Sequence, residues 1–282
     1  MRTPFNEVLK NAGFDISLEY KRLYKLFYEE RNAGIYNTPQ NHSFSSTYEF
    51  FNKKENFRQI SFRGTALDLY DFDKAHKLSF RSTTSTDDIE YLISFCEYII
   101  NLFNSFPAFE SDFRIRNIAR VFIEQITQIV DNACYTSIEK DECIIFIPKD
   151  VTVMAVSEIV DKSVSYKVIL YNHHSLKGNI EEKKKIIRQL ADLLEPKRNQ
   201  LKEINGAFAT DLFNCFNNFN IRHNNKDKST SHYNPLFETI TDSALEYLYD
   251  EIYQLCLLAF MEIDSIDKKR FIKEMLNSKK NN

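Results

Sequence analysis

Tryptophan is absent from this chain, and glycine and proline are scarce, at five and six of 282 residues. So few turn formers argue against a β-sandwich built from many tight hairpins. They also leave no glycine-rich loop to cradle a phosphate or dinucleotide, and the sequence holds no Walker loop, nucleophile elbow, HExxH or Rossmann fingerprint. Cys96, Cys134, Cys143, Cys215 and Cys256 form no CxxC pair. That excludes a zinc ribbon or a disulfide scaffold. Their apolar neighbours predict buried thiols in a reducing compartment. No run approaches the ~18 apolar residues of a membrane span, and the first residues lack a signal-peptide core. The expectation is a cytoplasmic protein without a membrane partner. Net charge is −3, so a global basic field for nucleic acid is excluded while a local basic patch is not.

What is present is apolar and aromatic. Hydrophobic residues make up 43% of the chain, with 24 Phe and 15 Tyr, and charged residues 27%. This is the composition of a globular protein with a substantial core. Helical spacing dominates the chain. Leu18, Leu23 and Phe27 predict a helix over 15–33, with Gly34 as its stop. Ile89, Leu92, Ile93, Cys96, Ile99, Ile100 and Phe103 predict one over 87–105. Ile115, Ile118, Ala119, Phe122, Ile126, Ile129 and Val130 predict another over 110–133. Residues 35–86 read as short helices and loops. Two strand-like runs, 135–138 and 143–147, flank the charged stretch Glu139–Glu142 and predict one β-hairpin.

From 149 onward helix follows helix. The readings are 151–160, 163–174, 180–195, a bent helix over 197–221 with Gly206 as its weak point, and a last helix over 237–263 with a restart near Thr241-Asp242. The breadth of that last helix's apolar face predicts a central position and suggests a homodimer. Residues 265–282 are expected to fray. The fold class is therefore mainly α, a multi-helix bundle with one small β-hairpin near residues 135–147. Two regions are expected: 1–134, with a sensing or regulatory role, and 135–282.

One stretch has the residue types for chemistry. A helix end runs into Asn220-Ile221-Arg222-His223-Asn224-Asn225-Lys226, and His232 and Tyr233 follow in the same loop. Arg222 is suited to clamp a phosphate, and His223 or His232 to move a proton near neutral pH. Asn220, Asn224, Asn225, Lys226 and Tyr233 are candidates to position a substrate. Metal-independent RNA cleavage needs this set: a base, an acid and a cation. No metal-ligand spacing and no cofactor motif accompanies it. The plainer reading of the same residues is that Arg and His meet the negative end of a helix dipole and Asn caps it.

A helical hairpin with Arg, Asn and His between its helices resembles the HEPN superfamily, in particular its bacterial abortive-infection (phage-defence) members. The resemblance covers about residues 150–264. It implies a defence or toxin role, a metal-independent endoribonuclease or RNA-binding domain acting through the Arg222–His232 loop, RNA as partner, a composite homodimeric site and a further partner protein. In that superfamily the Arg and His stand several residues apart, whereas Arg222 adjoins His223 and His232 lies further along. The competing reading is a non-catalytic helical interaction or sensor subunit.

Weaker candidates lie elsewhere. His173-His174 at a helix end reads as structural, and Arg63-Gly64-Thr65 is a weak anion loop. Glu181–Lys185 reads as a solvated helix face with Glu181–Lys185 pairing, of which Lys184, Lys185 and Arg188 form a candidate RNA track.

Overall fold

The computed structural model describes residues 14–29, 46–107 and 113–278. Gly34 and the chain end from 279 on lie outside the described residues, as do the expected first residues of the 110–133 helix. The protein is mainly helical with one small two-stranded antiparallel hairpin. It divides into two compact units, the first ending at Phe146 and the second beginning at Ile147.

In the first unit, α1 (Ile16–Tyr24) leads into a π-helical turn at Lys25–Glu29. Short helices α2 (Thr47–Asn52), α3 (Lys54–Phe57) and α4 (Leu69–Ala75) follow, then the long α5 (Ile89–Asn104) and α6 (Phe113–Asn132). Aspartate or serine caps most of these starts. The side chains of Asp15, Ser46, Asp68 and Asp88 each accept a backbone N–H of the first turn. The core is aromatic, and Phe27 meets Phe95, Tyr98 and Phe122 edge-on.

The hairpin pairs β1 (Tyr135–Lys140) with β2 (Cys143–Pro148). Asp141 and Glu142 both take positive φ, at 50° and 64°, which suits a two-residue turn to the twist of the strands. The division of the chain falls within β2, later than the expected 134/135. Asn101 on α5 explains this: its amide accepts the Ile144 N–H and donates to the Ile144 carbonyl, both at 2.7 Å. Glu97 accepts the Phe146 N–H at 2.6 Å. The hairpin is thus tied to α5.

In the second unit, α7 (Val151–Ile159) and α8 (Lys162–Leu170) pack together, and α9 (Ile180–Leu194), α10 (Arg198–Ile204) and α11 (Gly206–Asn218) follow. The expected bent helix over 197–221 is two helices. Asn205 breaks the ladder at φ −151°, ψ 87°, and its side chain accepts the Phe208 N–H. A cap in place of a kink is the physical difference.

The last helix, α12 (Asp242–Ser278), runs past the expected fraying point. It packs on α7, α9, α10 and α11. Its broad apolar face, including Leu245, Tyr249, Ile252, Tyr253, Cys256 and Phe260, is buried within its own unit. Towards its end, Phe271, Ile272, Met275 and Leu276 are exposed.

Among the thiols, Cys96 and Cys256 are buried, Cys143 and Cys215 half-buried, and Cys134 exposed. The exposure of Cys134 corrects the expectation of uniform burial. It sits at positive φ where α6 hands over to β1, so its side chain leaves the α6 stripe. Among the described residues, no helix is long and apolar enough to cross a membrane.

Candidate functional site

The site begins with how α9 and α12 are locked. Lys183, 6% exposed, donates to Glu246 at 2.7 Å and Asp250 at 2.8 Å. The Tyr171 hydroxyl donates to Asp250 at 3.0 Å, and the Tyr171 ring stacks on Tyr253 with centroids 3.8 Å apart. The run at 181–185 is therefore not a uniformly solvated face, because the helical turn puts Lys183 inside. Lys185 pairs with Glu182 in place of the expected Glu181.

The loop between α11 and α12 is held as firmly. Asn220 takes φ +59°, a left-handed conformation that Asn tolerates better than most residues. The Tyr249 hydroxyl donates to the Phe219 carbonyl at 3.2 Å. Asn225, 1% exposed, is the knot. Its Oδ1 accepts the Asn220 N–H at 2.7 Å, and its Nδ2 donates to the carbonyls of Asn217 and His232. Its backbone N–H reaches the His223 carbonyl at 3.1 Å, and its carbonyl accepts the Asn234 N–H at 3.0 Å. Both ends of the Asn225 amide are spent on the fold, which gives it a bracing role.

Arg222 also faces inward, its side chain 17% exposed. One Nη donates to the Ala191 carbonyl in the last turn of α9 at 2.7 Å, and the other pairs with Glu195. Its guanidinium lies over the rings of Phe213 and Phe216, at 5.4 and 5.3 Å. This gives the Ala191 carbonyl a second donor beside the Glu195 N–H and complements the negative end of α9.

Between α9 and this loop lies a cleft of about 450 Å³, lined by Glu181, Lys184, Arg188, Asn220, Ile221, Arg222, His223, Asn224 and Lys226. Glu181, Lys184 and Arg188 share one face of α9, spaced three and four residues apart. With its amide oriented to suit its neighbours, Asn220 donates to the His223 carbonyl at 3.2 Å and accepts from Lys184 Nζ at 3.0 Å. Burial lowers the Lys184 ammonium below its usual range, and Lys226 and Arg188 add to that against the opposing pull of Glu181. Lys184, Arg188 and Lys226 thus converge on one space beside Arg222, whose charge Glu195 offsets, and Glu181 is the only carboxylate among the lining residues.

The rings of His223 and His232 stack in parallel, 3.9 Å apart and within 6°. His223 lines the cleft, whereas His232 is exposed on the far side of the stack. Burial, then His232, then Arg222 lower His223 below the ordinary histidine range. Tyr233 turns away, its hydroxyl bonded to Glu238, which also pairs with Lys228.

The structure thus brings Asn220, Arg222, His223, Asn224 and Lys226 to one cleft. His232 stands behind His223, and Asn225 and Tyr233 are spent on the loop itself. Sequence reading kept Lys184 and Arg188 apart from this loop and missed Glu181 and Ile221 as lining residues. The signal for α9 was its i, i+3, i+7 spacing of charged residues.

The remaining candidates are local supports. The Arg63 guanidinium donates to the carbonyls of Arg58, Gly64 and Ala66. His173 Nδ1 meets the hydroxyl and N–H of Ser175. No family model, curated protein or solved structure matches the chain.

Proposed function

We propose that the second unit is an RNA-binding domain that holds phosphates of a single strand in the cleft between α9 and the α11–α12 loop. The observation that carries this reading is the convergence of Lys184, Arg188 and Lys226 with only Glu181 to offset them. Cations held together without matching acids repel one another, and a phosphate relieves that repulsion. The exposed His232 ring beside a basic cleft adds a surface on which a base can stack, a pairing typical of single-strand binders.

Binding fits the geometry better than cleavage. Acid–base cleavage by two histidines needs the rings on opposite sides of the phosphorus, each within reach of its own oxygen. Parallel rings 3.9 Å apart leave no room for a phosphate between them. Arg222 as a phosphate clamp would have to release Glu195 or the Ala191 carbonyl. Those two interactions favour a second reading, in which the loop is a non-catalytic support for an interaction module.

Fluorescence anisotropy of a labelled single-stranded RNA separates these. A charge-assisted hydrogen bond to phosphate contributes about 1 kcal/mol or more. Binding that weakens about tenfold or more on Lys184→Ala plus Arg188→Ala therefore supports the RNA reading. Equal affinity for wild type and variant contradicts it.

A further inference from the structure

The groups around the His223–His232 stack set how readily it takes a proton. From α9 come Glu181, Lys184 and Arg188, and from the loop Arg222 and Lys226. The charge of Arg222 is offset by Glu195. Further along the loop, Asp227 is occupied by Ser229 and Lys228 by Glu238. The net field at His223 is therefore cationic, and it opposes protonation. The stacked partner opposes it too, because two imidazolium ions in ring contact repel. The stack accommodates one proton far more easily than two.

An anion in the cleft reverses this field. It stands next to Lys184, Arg188 and Lys226, offsets their charge, and favours the charged form of the adjacent imidazole. Phosphodiesters do not titrate near neutrality, so any proton taken up on binding goes to the protein.

Resting on the RNA-binding reading, we propose that phosphate capture in this cleft is coupled to uptake of one proton by the His223–His232 stack, so that RNA is held more tightly in mildly acidic solution and released as pH rises. The sign follows from linkage. The bound state carries more protons than the free state, so affinity falls with increasing pH across the range in which the free stack is neutral and the bound one charged. A full proton gives at most about a tenfold change in affinity per pH unit.

The experiment uses the full chain and a fluorescein-labelled single-stranded RNA. Affinity is measured by anisotropy from about pH 5.5 to about pH 8, a range centred on histidine titration. Proton uptake is measured by calorimetry in two buffers of different ionisation enthalpy. The expected result is affinity that declines with pH and heats that differ between buffers by up to one proton per RNA bound. His223→Phe should flatten the profile and abolish uptake. His232→Phe keeps a stacked ring and leaves His223 as the one base of the stack, and should retain both the pH-dependent affinity and the proton uptake. RNA binding that is equally tight across the range, with no proton taken up, overturns the coupling and leaves the RNA reading standing. A pH profile that survives replacement of both rings, His223→Phe together with His232→Phe, overturns the assignment to this stack. Absence of RNA binding at every pH refutes the RNA reading itself, and the coupling with it. The wild-type calorimetry needs no variant to fold.

Discussion

The Arg222 guanidinium donates to the Ala191 carbonyl at 2.7 Å, so the loop after α11 closes the last turn of α9. The residue that looks most like a phosphate clamp in the sequence is a brace between two helices. Its ion pair with the half-exposed Glu195 and its position over Phe213 and Phe216 reinforce that role.

Arg222→Ala should therefore act first on stability. A hydrogen bond to a charged group contributes about 1.5–3 kcal/mol, and solvent at Glu195 reduces the ion-pair share. A loss of about 1–3 kcal/mol in urea unfolding is expected, with Arg222→Lys recovering part of it, since Lys reaches the carbonyl but not the paired geometry. An unchanged unfolding midpoint in Arg222→Ala, together with loss of an EDTA-resistant RNA cleavage, would restore the catalytic role that the sequence suggested.

Nearby lysines on α9 should behave oppositely. Lys183→Ala leaves Glu246 and Asp250 facing each other without their shared cation. Breaking a buried pair costs about 3–5 kcal/mol, and the partial exposure of both carboxylates brings the expectation down to about 2–4. Lys185 is exposed, and its pairing with Glu182 is of the surface kind, so Lys185→Ala should leave the unfolding midpoint close to that of wild type. Denaturant titration of both variants checks the contrast. Equal effects would mean that the α9–α12 lock is not built on Lys183.

The pH dependence of the first unit should carry the mark of Asp73. This carboxylate is buried on α4 and accepts the Tyr98 hydroxyl at 2.9 Å. Burial pushes it from the usual 3.8 up to about 7, against partial opposition from Tyr98, Arg81 and Tyr48. The raised value means the folded state holds the proton more tightly. The stability this contributes is complete below about pH 4, declines as pH rises, and is gone above about pH 7. Asp73→Asn should remove that decline, so its melting temperature relative to wild type should rise between mildly acidic and mildly alkaline buffer. A constant offset between the two proteins across that range would show that Asp73 does not titrate there.

Much of the fold was legible because its signals are periodic. The stripe from Ile115 to Val130 gave α6, and the alternation around Asp141-Glu142 gave the hairpin. Pairing of that hairpin with α5 was not legible, since it depends on the amide of Asn101 meeting Ile144 across a long stretch of chain. Gly206 drew attention as the weak point, while the capping side chain of Asn205 made the break. In the site, the loop from Asn220 to Lys226 stood out by residue type. Its division of labour did not, because Asn225 and Asn224 look alike in sequence and differ only in that one is buried and fully bonded while the other is exposed. The cleft's other wall lies on α9, far away in sequence, and Lys183 turns inward because it falls in the apolar stripe of Ile187, Leu190 and Leu194, which the charges beside it masked.

The most direct test of the phosphate-binding cleft is the salt dependence of single-stranded RNA affinity for wild type and for the combined Lys184→Ala, Arg188→Ala, Lys226→Ala variant. Each cation that neutralises a phosphate on a single strand adds about 0.7 to the slope of log affinity against log salt. The account predicts that the variant stays folded, binds far more weakly, and loses about 2 from that slope, for three cations removed. Unchanged slope and affinity in a folded triple variant would contradict it.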